Sequence, residues 1–99
     1  MQTMLNRQSV NIVKKTYGNG ATALVAEEGF TGGPYCTLSV NIVDPDCALP
    51  SEKLPKDHCY FKVWSENEGF LEELTDNGIV RPTGTTHAKT GAPIVRILI

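Results

Sequence analysis

The side chains with the most reactive chemistry in this 99-residue chain are its cysteines and histidines. They are Cys36, Cys47, Cys59, His58 and His87. A metal site needs such groups, or carboxylates, to converge on one ion. His58 and Cys59 are poorly placed to share an ion, because adjacent residues of a strand point to opposite faces of a sheet. Since no C-x-x-C pair is present either, the sequence predicts neither a metal centre nor another cofactor.

A cysteine nucleophile needs a base within hydrogen-bond reach and a third group that orients that base. Cys36 instead alternates with Leu38, Val40 and Ile42 along one face of a predicted strand. That pattern is typical of an ordinary buried thiol. No acidic residue is placed to complete a catalytic set with Cys59. We therefore expect no catalytic residues and a protein that is not an enzyme.

The segment 83–91 offers hydroxyls, glycines, His87 and Lys89, from which an anion-binding loop can be built. It lacks the Gly-Lys-Ser/Thr order of a phosphate-binding loop, and no helix follows to supply N-terminal amides. Two alternatives stay open. The loop binds a phosphorylated small molecule, as part of a ligand-binding domain or an enzyme, or it is a flexible connection.

Five carboxylates lie close together along residues 66–76. They are Glu66, Glu68, Glu72, Glu73 and Asp76. Glu68, Glu72 and Asp76 repeat at i, i+4 and i+8, a row of like charges that costs a few tenths of a kcal/mol per pair in a helix. Asp76 also lies at the negative end of the helix dipole. Either solvent and nearby cations compensate this charge, or the five residues bind a basic surface of a partner protein.

The periodicity and turn residues of the sequence predict a single α+β domain over residues 1–99. It is built on an antiparallel sheet of about five strands, which would position these groups. The predicted strands span 10–17, 21–27, 35–42, 59–64 and 94–99. Gly18-Asn19-Gly20 predicts a hairpin between the first two strands. Residues 81–91 are polar and predict a loop. In the last strand we expect Arg96 to face water and the strand to form an open edge, which would allow self-association as a structural module or homodimer.

One helix is predicted over 66–77, packed on one face of the sheet. Ser65 and Glu68 match the Ser-x-x-Glu capping box that begins many helices. Gly78 supplies the left-handed residue that commonly ends one. The apolar stripe of this helix consists of Phe70, Leu71 and Leu74.

Charge and cysteine usage exclude several classes of protein. The formal net charge of −2 is too small for a polybasic surface that binds nucleic acid or a membrane. Three unevenly spaced cysteines do not form the framework of a secreted disulfide-rich domain. No apolar run reaches the length of a signal peptide or a transmembrane helix. We expect a cytoplasmic protein without direct contact to nucleic acid or membrane.

Two stretches of the chain resemble a known family. They are Gly33-Pro34-Tyr35-Cys36-Thr37-Leu38-Ser39-Val40-Asn41-Ile42, and Phe70-Leu71-Glu72-Glu73-Leu74 followed by Asn77-Gly78-Ile79 and Pro82-Thr83-Gly84. Together they resemble a family of small proteins of unknown function that bacteriophages, plasmids and integrating elements carry. The resemblance implies an accessory protein of a mobile genetic element, and it brings no catalytic residues.

Small proteins of mobile elements often bind and block a host defence enzyme. The leading expectation is therefore a non-enzymatic protein that binds a larger host protein and inhibits a bacterial defence system, as an anti-CRISPR or anti-restriction protein.

Overall fold

The computed structural model describes residues 1–99 and has an α+β fold, which confirms the predicted fold class. The strands are β1 (Gln2–Leu5), β2 (Gln8–Thr16), β3 (Thr22–Glu28), β4 (Pro34–Thr37), β5 (Ser39–Val40), β6 (His58–Phe61), β7 (Val80–Thr86) and β8 (Pro93–Ile97). The single α-helix is α1 (Phe70–Asp76), and short 3-10 helices span Ser51–Lys53 and Ser65–Asn67. None of these helices combines the length and apolar character that crossing a membrane requires.

The strands form two antiparallel sheets of four, in the orders β1-β2-β3-β4 and β5-β6-β8-β7. The prediction of about five strands in one sheet was therefore wrong in number and arrangement. The hairpin at Gly18-Asn19-Gly20 is confirmed, because Thr16 pairs with Thr22 across it. β1 was missed because its residues alternate weakly, and it is held by pairing along β2.

The predicted strand 35–42 is divided where it passes from one sheet to the other. The Leu38 N–H donates to the Leu24 carbonyl of β3 at 2.9 Å, while the Leu38 carbonyl accepts from the Lys62 N–H at 2.7 Å. The Ser39 Oγ accepts the Leu24 N–H at 2.9 Å and forms a 2.7 Å hydrogen bond with the Tyr17 hydroxyl. We call Leu38 and Ser39 the corner, since they are hydrogen-bonded to both sheets.

The corner also corrects the predicted burial of this segment. Leu38 and Ile42 are buried as expected, but Cys36 and Val40 are only partly buried, and the polar Ser39 is buried instead. A single alternating face was predicted because the pattern assumes a straight strand. The bend at the corner breaks the two-residue period.

The second sheet is covered on both faces because residues alternate along its strands. Cys59 and Phe61 of β6 point into the main core, whereas Tyr60 between them belongs to a smaller cluster on the other face. The main core fills the space between the sheets and α1. Its buried members include Leu5, Val10, Ile12, Leu24, Ala26, Leu38, Phe70, Leu74, Ile79, Val80, Val95 and Ile97. The small cluster consists of Ile42, Tyr60, Ala92 and Ile94.

The helix begins later than the sequence predicts. Ser65 has a positive φ of 60° rather than the extended conformation of an N-cap, and no side-chain capping bond forms there. The Glu68 N–H instead donates to the Ser65 carbonyl, which closes a 3-10 turn. Gly69 then adopts φ 85°, so the α-helix covers Phe70–Asp76 rather than 66–77.

The end of α1 and its packing follow the prediction. Gly78 has a φ of 74°, and its N–H donates to the Thr75 carbonyl at 3.1 Å. The Ile79 N–H donates to the Leu74 carbonyl at 2.9 Å, which completes a Schellman motif. Leu74 is fully buried in the main core. α1 contacts both β1 and β7, which are edge strands of the first and the second sheet respectively.

The C-terminal region differs from the prediction in two ways. β8 lies between β6 and β7, so the expected open edge at the last strand was wrong, although Arg96 is exposed as predicted. Residues 80–86 form β7, paired with β8, where a loop was predicted over 81–91. The polar sequence of β7 led to the loop prediction because β7 is an edge strand with nearly all its side chains exposed. Gly84, at φ 90°, lies where the pairing of β7 with β8 shifts register.

The corner generates the first prediction. Replacing Ser39 with alanine leaves the buried Leu24 N–H without its acceptor, so we expect Ser39→Ala to lower the free energy of unfolding by about 1–3 kcal/mol. Tyr17→Phe is the matched control, because it removes only the hydroxyl partner of Ser39 and should cost roughly 0.5–1.5 kcal/mol. Urea denaturation measures both. A loss for Ser39→Ala below that of Tyr17→Phe would contradict the role of the corner.

Candidate functional site

The five predicted partner-binding carboxylates have different surroundings, and two of them are engaged within the protein. Glu66 is exposed and accepts a hydrogen bond from the Lys62 Nζ at 3.0 Å. Its pKa is lowered to about 2 by hydrogen bonds from the Ser65 hydroxyl, from its own backbone N–H and from Lys62. Glu66 therefore stays ionised, with a cation beside it.

Glu73 holds the turn between β1 and β2. Its two carboxylate oxygens accept the backbone N–H of Asn6 at 2.7 and 3.1 Å. Asn6 and Arg7 both have positive φ values, 51° and 65°, which non-glycine residues adopt infrequently. A charged acceptor on a backbone N–H is one of the stronger hydrogen bonds, so Glu73 stabilises this unusual turn. The side chain thus has a structural role.

The other three carboxylates, Glu68, Glu72 and Asp76, are exposed and take part in none of the four ion pairs of the molecule. We call these three residues the acidic surface. The predicted row at i, i+4 and i+8 is interrupted, because Glu68 precedes the left-handed Gly69 and only Glu72 and Asp76 belong to α1. These two lie one helical turn apart on the same side of the helix.

A cleft of about 280 Å³ lies on the opposite face of the second sheet from α1. Its lining residues come from the 44–49 loop, from residues 85–89 and from β6, which contributes Tyr60. The Tyr60 hydroxyl donates to the Leu49 carbonyl at 2.7 Å, which ties the first loop to the sheet. We call this cavity the loop cleft. It contains His87 and Lys89, the two residues that the sequence singled out in segment 83–91.

His87 is held in a defined orientation on the wall of the loop cleft. Its side chain packs edge-on against the Tyr60 ring, with 5.7 Å between ring centroids. The Thr90 N–H donates to His87 Nδ1 at 3.2 Å. Because Nδ1 accepts this bond, the neutral imidazole carries its proton on Nε2. Nε2 itself has no hydrogen-bond partner in the protein.

Acidic groups outnumber basic groups at the loop cleft. The Lys89 Nζ lies 2.8 Å from the Asp44 Oδ2, and the other Asp44 oxygen accepts the Asp46 N–H at 2.9 Å. The hydrogen bond that Lys89 donates to Asp44 lowers the pKa of Asp44 and raises the pKa of Lys89, so both stay charged. Asp46 adds a second carboxylate. This balance opposes a phosphate, although anion binding by segment 83–91 stays a prediction.

The cysteines and remaining histidine lie in separate places. Burial raises the pKa of Cys59 to about 12 in the main core, and burial together with the charge of Glu66 raises that of Cys36 to about 11. The His58 Nδ1 lies 2.8 Å from the Lys56 carbonyl. Cys47 lines the loop cleft with His87. No group of three or more histidine, cysteine, aspartate or glutamate side chains is arranged to hold a metal ion.

Sequence reasoning missed Asp44, Asp46 and Tyr60 as members of a site. Asp44 and Asp46 lie in a loop without periodicity, and Tyr60 was predicted only as one side chain of a strand. No local signal joins them to residues 85–89, because the cleft forms only when the 44–49 loop folds over the end of the β7–β8 hairpin.

The chain matches no family model, no curated protein and no solved structure.

The division of the carboxylates predicts opposite effects of two substitutions on stability. Glu73→Gln weakens the charged acceptor of the Asn6 N–H and should lower the free energy of unfolding by about 1 kcal/mol. Asp76→Asn removes a negative charge from the C-terminal end of α1 and should raise it by about 0.3–0.5 kcal/mol. Urea denaturation of both variants beside the parent protein tests this. Equal effects would show that Glu73 is an ordinary surface carboxylate.

The burial of the thiols predicts an order of alkylation. At pH 8, iodoacetamide should modify Cys47 on the cleft wall first and leave Cys59 unmodified, since Cys59 is 2% exposed and has a pKa of about 12. Thiolate is the reactive form, so the raised pKa and the burial act in the same direction. Mass spectrometry of peptides follows each site, with urea-unfolded protein as the control. Equal rates at Cys47 and Cys59 in the folded protein would contradict the placement of Cys59.

Proposed function

We propose that this protein is a non-enzymatic binding protein whose acidic surface docks on a basic surface of a larger host protein. The concrete form of the proposal is an accessory protein of a mobile genetic element that acts in the bacterial cytoplasm. There it would inhibit a defence enzyme such as a CRISPR effector or a restriction enzyme. This concrete form depends on the family resemblance of the Gly33–Ile42 and 70–84 stretches.

One observation carries the docking proposal. Glu68, Glu72 and Asp76 are exposed and have no cation beside them, although the molecule pairs other carboxylates with lysines. Glu73 ties α1 to the β1–β2 turn, and the Asn77 side chain donates to the Thr3 Oγ1 at 3.0 Å, so the helix that carries Glu72 and Asp76 is anchored to β1. A rigid charged surface loses little conformational entropy on binding and promotes fast association with a basic partner.

The size of the acidic surface favours docking over imitation of DNA. A helix of 7 residues is about 10 Å long. A DNA duplex presents about six charges over that length. α1 presents Glu72 and Asp76 as unpaired carboxylates, and Glu68 adds one charge beyond its start. A target that recognises this surface is therefore expected to contribute a few basic side chains rather than a full DNA-binding groove.

The test is capture from a bacterial lysate followed by an activity assay. The immobilised protein should retain a host protein, and the Glu68→Lys, Glu72→Lys, Asp76→Lys variant should lose it, because reversed charges repel a basic surface. Added in solution, the parent protein should inhibit the nuclease activity of the captured protein at least tenfold more strongly than the variant, a difference of about 1.4 kcal/mol in binding.

Two controls make this test specific. Glu52→Lys reverses an exposed charge in the Ser51–Lys53 turn and should leave capture unchanged. The Glu68→Gln, Glu72→Gln, Asp76→Asn variant removes the charges without reversing them and should give intermediate retention. Retention of the same protein by all variants, or a captured protein whose activity does not change, would overturn the proposal.

A second candidate function, binding of a small ligand, is favoured by the loop cleft. Residues His87 and Lys89 line a formed cavity instead of lying in an extended loop. The cavity is slightly smaller than the roughly 300–1,000 Å³ of pockets for drug-sized ligands, so its ligand would be small.

A further inference from the structure

The surface that lines the loop cleft is largely apolar, and three charged residues also line it. Ala48, Leu49 and Ala88 line it together with the Tyr60 ring. A volume of about 280 Å³ accommodates a ligand the size of one large amino-acid side chain. Such walls favour a ligand with an apolar hydrocarbon stem, since removing apolar surface from water is favourable in proportion to its area.

The charged residues of the loop cleft determine whether it favours a cation or an anion. Asp44 and Asp46 both line the cleft, and Lys89 is the single basic residue there. Because Lys89 is engaged by Asp44 at 2.8 Å, the second carboxylate, Asp46, has no cation beside it. A phosphate would meet two carboxylates and a lysine that is already paired. An organic cation would meet a free carboxylate.

His87 supplies an independent polar group for a ligand. Its side chain is only 9% exposed, its Nδ1 accepts from Thr90, and its Nε2 has no partner in the protein. This nitrogen is not one of the buried polar atoms that lack a partner, so it reaches solvent and can donate to a ligand oxygen in the cleft. The ring lines the cleft. The matching ligand therefore carries a carbonyl or carboxylate oxygen as well as a positive charge.

From these three features we propose that the loop cleft binds an organic cation with a short apolar stem and an acceptor oxygen, as in arginine. The proposal depends on the second candidate function and names its ligand class. The same chemistry has two sources, free arginine-like molecules and an arginine side chain within another protein. In either case Asp46 contacts the cation, His87 donates to the oxygen, and Leu49 and Ala88 contact the stem.

The experiment follows backbone amides by two-dimensional NMR while small probes are added to the intact protein. N-acetyl-arginine amide should shift the amides of residues 44–49 and 85–89, with a dissociation constant of roughly 1–10 mM as expected for so small a ligand. N-acetyl-citrulline amide has the same shape without the charge and should bind at least tenfold more weakly. A titration with free arginine distinguishes a small-molecule ligand from a protein side chain. If free arginine binds several-fold tighter than N-acetyl-arginine amide, the ligand is a free amino acid. If N-acetyl-arginine amide binds several-fold tighter, the ligand is an arginine side chain of another protein.

Two variants of exposed residues give opposite expected results. Asp46→Asn removes the free carboxylate and should weaken binding of N-acetyl-arginine amide about tenfold. Lys89→Gln removes the cation that occupies Asp44 and should strengthen it several-fold, whereas a site for anions would be lost in the same variant. Glu28 is exposed at the end of β3 in the first sheet and does not line the loop cleft, so Glu28→Gln should change nothing. The amide spectrum of each variant also shows that it is folded.

Each outcome decides between the proposals. Equal binding of the arginine and citrulline probes would overturn the inferred ligand class. Inorganic phosphate that shifts the cleft amides, with loss of that effect in Lys89→Gln, would also overturn it while keeping small-ligand binding. If no probe shifts these amides at roughly 50 mM, far above the expected dissociation constant, both small-ligand proposals fail. The acidic surface is tested separately.

Discussion

The hydrogen bonds at Leu38 and Ser39 are the constraint on which the architecture depends. Leu38 lies between β4 and β5, and its backbone bonds to Leu24 of β3 on one side and to Lys62, the residue after β6, on the other. The Ser39 hydroxyl accepts the buried Leu24 N–H, which would otherwise need a backbone acceptor. Buried backbone N–H and C=O groups are almost always hydrogen-bonded. Here a side chain supplies the missing partner at the point where the chain passes from one sheet to the other.

The corner sets the environment of both candidate sites. The chain enters the second sheet at the corner, and residues of that sheet alternate between the main core on one face and the small cluster on the other. Cys59 and Phe61 face inward, and Tyr60 faces outward. The acidic surface and the loop cleft are consequently on opposite sides of one sheet. The two proposed binding sites therefore use separate surfaces of the protein.

The distribution of the acidic residues follows from backbone geometry rather than from charge repulsion alone. Glu73 is drawn to the Asn6 N–H because the β1–β2 turn has an unpaired donor there. Glu66 lies beside Lys62 because the 3-10 turn at Ser65 places it back toward the end of β6. The charges left over are Glu68, Glu72 and Asp76. A row that appears uniform in the sequence is thus a mixture of structural and free carboxylates.

The sequence by itself determined the α+β class, the hairpin at Gly18-Asn19-Gly20, the stop at Gly78 and the apolar stripe of α1. These depend on local conformational preferences and on periodicity, which are properties of neighbouring residues. Only the tertiary structure decided that the 35–42 strand bends at Leu38, that β8 lies inside a sheet, and that the helix begins after Gly69. It also decided which carboxylates are free and that Asp44, Asp46 and His87 line one cleft. These outcomes depend on hydrogen bonds and contacts between residues far apart in the chain, which no local pattern records.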